Sequence, residues 1–138
     1  TQAVASYTRL IASNEYNDMH QTDLHEVSAW LHDIGCPAAR RIHGKALPAY
    51  QMQEGRILAK EWLTDDNQLT DTEREWLVNV VGSHHIFKKA VELHFEPLFE
   101  ADLIVNLWEG YYSKEHASEY KKMVTTKTGS LLFRELFL

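Results

Sequence analysis

Apolar residues recur at helical spacing along almost the whole of this 138-residue chain, and strand-like alternation is nearly absent. That pattern confines the chain to an all-α architecture. Ala3, Val4, Tyr7, Leu10 and Ile11 form a first stripe, and Leu24, Val27, Leu31 and Ile34 a second, stopped by Gly35 and Pro37. A short basic helix is expected over 38–42, closed by Gly44. Pro48 belongs in the first turn of the next helix, which carries Ile57, Leu58, Trp62 and Leu63. Thr70 and Glu73 spell a capping box ahead of Trp76, Leu77, Val80 and Val81. Pro97 opens a helix with Leu98, Ala101, Val105 and Trp108 on one stripe; Ser113 caps a segment over 114–124; a last amphipathic segment covers 129–138. Residues 86–95 read as a loop with a partial helix. The expectation is a compact single-domain bundle of about six to seven helices, with Trp30, Trp62, Trp76 and Trp108 in its core.

Composition narrows the function classes. With 44% hydrophobic and 25% charged residues the chain is ordinary for a soluble globular protein. No apolar window is long enough to span a membrane, and no charged-then-apolar leader opens it. The one cysteine, Cys36, cannot form an internal disulfide, which fits a cytoplasmic setting. A formal net charge of -6 without any Lys/Arg block argues against a nucleic-acid polymer as partner. The first apolar stripe already runs at Ala3, so the chain is expected to begin inside a helix, with residues upstream of Thr1.

The eight histidines call for explanation. Three segments place metal-competent groups on or beside apolar helical faces. In Leu31-His32-Asp33-Ile34-Gly35 an imidazole and a carboxylate adjoin at a helix end, a donor pair suited to a divalent transition metal. The bland alternative is a histidine at the negative helix end beside a solvated aspartate. Asp102 shares the stripe of Leu98, Ala101 and Val105, where a carboxylate is costly unless it is paired or binds metal. His84 continues the stripe of Trp76, Leu77, Val80 and Val81, with His85 next to it; the alternative there is one core histidine bonded to a carbonyl and one exposed.

Taken together and in this order, His32-Asp33, then Gly82-Ser83-His84-His85, then Glu100-Ala101-Asp102 resemble the HD-domain superfamily of metal-dependent phosphohydrolases, over nearly the whole chain. The tail Thr126-Lys127-Thr128-Gly129 is similar to small bacterial members of the type whose doublet reads His-Asp-Ile-Gly. The resemblance implies a divalent ion (Mn, Fe, Ni, Zn or Mg) held by His32, Asp33 and Asp102, with His84 and His85 as further ligands or as groups that meet the substrate phosphate. It implies that Asp33, His84 and His85 take part in hydrolysis of a phosphoric ester of a nucleotide or other small metabolite. The family's first histidine stands a few residues before a Val-Ala pair, which Val4-Ala5 match, so it would fall just before Thr1; His20 and His25 are the substitutes within the chain.

The sequence departs from the family at two places. A histidine of the multi-metal members would fall within 50–55, where Gln51, Gln53 and Glu54 stand, with Glu54 as a possible oxygen ligand; Cys36 stands where lysine is common. The Gly-Tyr-Pro signature of cyclic-di-GMP phosphodiesterases is missing after His85. Arg40, Arg41 and Lys45 are candidates to steer the phosphate, against the alternative of a solvated helix face. Lys88 and Lys89 are open to the same two readings. The competing functional reading is a non-catalytic module of the same fold that binds a ligand or a protein. The Leu- and Phe-rich C-terminus is expected to pack either on the body of the domain or on another subunit.

Overall fold

The computed structural model describes residues 1–138 and is entirely helical, as the periodicity requires. Its α-helices are α1 (Gln2–Glu15), α2 (Met19–Leu31), α3 (Cys36–His43), α4 (Pro48–Leu63), α5 (Asp71–Val81), α6 (Phe87–Leu93), α7 (Glu96–Trp108), α8 (Ala117–Tyr120) and α9 (Lys127–Phe137). Two 3-10 turns, Lys114–His116 and Lys121–Met123, flank α8. The nine α-helices exceed the expected six or seven, and two segments differ from expectation. The 86–95 stretch forms α6, and the 114–124 segment breaks into short pieces instead of one helix. No helix is long and apolar enough to cross a membrane.

Local chemistry sets the boundaries. Thr70 accepts from Glu73 N and its own N–H donates to the Glu73 carboxylate, so the capping box that starts α5 is complete. Gly44 ends α3 in the left-handed region at φ 80, donating its N–H to Arg40 O. Pro48 and Pro97 sit in the first turns of α4 and α7, where no amide donor is needed.

The residues fall into two units, Thr1–Trp30 with Phe95–Leu138, and Leu31–His94. In the first unit α1 packs on α7, and α9 packs on both. The buried face of α1 is Val4, Ala5, Thr8, Ile11 and Ala12, with Leu10 turned to solvent. This is a rotation from the expected stripe. Ala5, Thr8 and Ala12 are small enough to let another helix approach, and the Thr8 hydroxyl satisfies itself on Val4 O at 2.7 Å. Phe95 and Phe133 are the largest fully buried side chains. Each contributes about 2–3 kcal/mol by leaving water.

In the second unit α4 packs on α3 and α5, and α5 on α6. Trp76 Nε1 donates to Leu93 O at 2.7 Å, tying α5 to the end of α6. The expectation of four core tryptophans fails: Trp30, Trp62 and Trp108 are exposed, and Trp76 is half-buried. Each lies at the edge of its stripe, and the buried positions go to smaller neighbours such as Ala29, Ala59 and Leu63.

Candidate functional site

The His-Asp doublet follows α2 in a tight turn. Ile34 N bonds Leu31 O at 3.1 Å and Cys36 N bonds Asp33 O at 3.0 Å, so the chain reverses into α3 within a few residues. Gly35 makes this reversal possible through space. A Cβ there would lie 2.3 Å from Gln51 O and 2.4 Å from Gly55 N, so the turn rests directly on the α4 backbone. Gly55 in turn leaves room for Val81 Cγ1 of α5. Glycine against glycine therefore brings the doublet, α4 and the end of α5 into register.

After α5 the backbone winds through further turns, Ser83 N to Val80 O and Ile86 N to Ser83 O, which carry His84 and His85. His84 and His32 are both fully buried and meet edge to face, ring centroids 5.2 Å apart. Asp33, with a side chain 40% exposed, lies between them: Oδ2 is 3.1 Å from His32 Nε2 and Oδ1 is 3.6 Å from His84 Nε2. Burial pushes the Asp33 carboxyl up, but the adjoining His32 and His84 imidazoles outweigh it and hold the group well below the usual carboxylate range.

The tautomer of His84 is fixed. Its Nδ1 lies 2.8 Å from the Val81 carbonyl, which can only accept, so Nδ1 carries the hydrogen. In the neutral ring Nε2 is then a lone pair, buried, without a hydrogen-bond partner, and facing a carboxylate oxygen. Two acceptors face each other there unless a proton or a cation stands between them. An imidazole oriented through its far nitrogen by a backbone carbonyl is also the arrangement metal-ligating histidines adopt. The donor chemistry of His32, Asp33 and His84 therefore fits a divalent ion. In the observed geometry, however, no group of three or more His, Cys, Asp or Glu side chains is arranged to hold a metal ion. The carboxylate instead closes directly on the imidazoles.

Around this group the other candidates have local partners. Gln51 Nε2 donates to Ala46 O at 2.6 Å, which leaves its Oε1 to accept from His85 Nε2 at 2.9 Å. The residue that stands in the place of a family histidine thus orients His85 and fixes its Nε2 hydrogen. Glu54, buried and expected as an oxygen donor, is engaged by His43 Nε2 at 3.0 Å; His43 stacks flat on Tyr50 with centroids 4.1 Å apart. This His43–Glu54 pair escaped the sequence reading, and no local signal marks it. Arg40, Arg41 and Lys45 are exposed. Lys88 and Lys89 pair with Glu92, which satisfies the bland reading for both.

The α7 carboxylates differ from expectation. Asp102 belongs to the first unit, is half-buried, and accepts from Asn106 Nδ2 at 3.1 Å. The fully buried carboxylate is Glu100. Its Oε2 accepts from Thr125 N at 2.8 Å and Thr126 N at 3.0 Å, and Thr126 Oγ1 bonds Oε1. Burial raises its pKa, while the bonds from Thr126 and Thr125 work against that rise. Gly129 leaves room for it, since a Cβ there would lie 1.9 Å from Glu100 Oε1. Of the substitute histidines, His20 is exposed, while His25 is buried, stacked on Tyr16 at 5.0 Å and lowered by burial to about 4.

No protein-family model, no curated protein and no solved structure matches the chain.

Proposed function

We propose that the chain is a metal-dependent phosphoric-ester hydrolase of the HD-domain type, acting on a nucleotide or another small phosphorylated metabolite. The observation that supports this most is the buried Nε2 of His84, its tautomer set by Val81, directed at the Asp33 carboxylate beside His32. His32, Asp33 and His84 would hold the ion. When bound, a divalent ion supplies a water of lowered pKa and neutralises charge on a phosphate oxygen. Asp33, ionised across the working pH range and partly open to solvent, accepts a hydrogen bond from an incoming water and orients it. His85, kept in place by Gln51, holds or passes a proton on the substrate side. Val81 keeps the His84 lone pair on the inner side of the ring by holding its other nitrogen.

A second reading, a binding module without hydrolysis, is favoured by one observation: the Asp33 carboxylate is already met by two imidazoles, a closed arrangement that is satisfied if one ring is protonated. The two readings part in a phosphatase screen of the purified full chain with manganese, iron or nickel supplied. Hydrolysis that chelator abolishes, and that Asp33→Ala lowers beyond the roughly 10–100-fold typical of residues that only orient a ligand, supports the hydrolase. Hydrolysis unchanged by chelator and by Asp33→Ala would sink it.

A further inference from the structure

The 3-10 turn Lys121–Met123 and α9 border an open pocket of about 290 Å³, lined by Lys121, Lys127, Ser130, Leu131 and Arg134. Three of these five side chains are cationic and none is acidic. Four of the chain's cations find carboxylates: Arg9 pairs with Asp23 and Glu26, Arg74 with Asp71, Lys88 and Lys89 with Glu92. Lys121, Lys127 and Arg134 form no ion pair, as holds for most of the chain's cations; what sets these three apart is that they line one pocket with no carboxylate among its walls.

The placement of Lys127 sharpens the point. It is the first residue of α9, an 11-residue helix with no acid in its first turn. A cation there opposes the positive end of the helix dipole, at a cost that a bound anion removes. The start of this helix is also held in place. Thr126 accepts from Gly129 N at 2.9 Å and bonds the buried Glu100, and Thr128 N donates to Glu15 at 3.1 Å. Charges on a fixed frame bind an anion without the ordering cost that a mobile loop would add. The Ser130 hydroxyl is only weakly occupied, 3.4 Å from Val124 O, and Leu131 adds an apolar wall.

We propose that this pocket binds the phosphate group of a small phosphorylated ligand, with Lys121, Lys127 and Arg134 on the phosphate oxygens, Ser130 as a further donor, and Leu131 against the organic part. Its volume is at the small end of ligand pockets, about 300–1,000 Å³, which suits one phosphate or diphosphate group with a short organic portion. The site stands apart from the hydrolase reading and does not depend on it.

The test is an amide NMR titration of the full chain with inorganic pyrophosphate in the presence of chelator. It is run on the wild type, on Lys127→Gln/Arg134→Gln, and on Asp33→Asn. Exposed side chains leave the fold intact, so unchanged melting is the control, and Lys121→Gln serves as a milder variant. The expected result is saturable shifts centred on 121–131 in the wild type and in Asp33→Asn, with affinity reduced tenfold or more in the double variant. Parallel sedimentation with phosphatidylcholine vesicles containing phosphatidic acid should leave the protein in solution. Absence of saturable shifts at those amides, equal affinity in the double variant, or binding to the vesicles with none to pyrophosphate would each overturn the proposal.

Discussion

Substituting Gly35 by alanine isolates the contact that assembles the candidate site. The added Cβ would lie 2.3 Å from Gln51 O, 2.4 Å from Gly55 N and 2.7 Å from Gly55 Cα, all backbone atoms of α4. Relief requires α4 to withdraw by about 1 Å, because no rotamer change can move a main chain. Overpacking of a filled interior costs about 1–3 kcal/mol, and a clash with backbone alone belongs at the top of that range. For a domain of this size about 3 kcal/mol lowers Tm by about 10 °C. Gly44→Ala is the matched control. Gly44 has φ 80 and nothing within 4 Å of its Cβ position, so alanine there costs only backbone strain, about 1 kcal/mol. Urea denaturation of both variants, with near-ultraviolet circular dichroism for the Trp76 environment, measures the difference. A Gly35→Ala loss no larger than that of Gly44→Ala would refute the reasoning, because it would mean that α4 does not rest on the turn.

Glu100→Ala should cost about 2–4 kcal/mol in denaturant unfolding, because it leaves two backbone donors and a hydroxyl without their acceptor, and Glu100→Gln should cost less than half of that; an alanine loss under 1 kcal/mol would contradict the cradle. Stability should fall as pH drops from about 6.5 to 4, because His25 stays neutral in the fold while the unfolded chain takes up a proton near 6.5. The full shift from 6.5 to about 4 corresponds to about 3 kcal/mol, complete once pH passes below the folded value. Glu100, raised in the fold, contributes with the opposite sign, so the comparison is wild type against His25→Phe, which keeps a ring on Tyr16 and should remove that part of the slope.

Helix ends were legible in the sequence because their causes are local. The Thr70–Glu73 box, Gly44, Pro48 and Pro97 each act within a turn of their own position, and each falls where expected. Helix faces were less legible. Leu10 and Trp30 outrank Thr8 and Ala29 in hydrophobicity, yet the smaller residues are the buried ones, since size decides how closely a neighbouring helix can approach. The second-unit candidates His32, Asp33 and His84 were readable because the apolar stripes of α2 and α5 run straight into them, and the structure brings these three together. Glu100 and Asp102 are two residues apart, and only tertiary partners separate their roles: the decisive Thr125 and Thr126 lie 25 and 26 residues on. The Gln51–His85 bond spans 34 residues and the His43–Glu54 pair 11, beyond what periodicity can report. Arg40, Arg41 and Lys45 were marked by charge and by their place shortly after the doublet, and all three are exposed.

The central claim is that His32, Asp33 and His84 form a metal site, and elemental analysis of the purified full chain tests it most directly. Wild type and Asp33→Ala, each exposed to manganese, iron and nickel and then desalted, are compared at equal concentration, with far-ultraviolet circular dichroism to establish that both are folded. The account predicts about one equivalent of transition metal in the wild type and its loss in the folded variant. No bound metal in the wild type under any of these conditions, or the same content in both proteins, would contradict it.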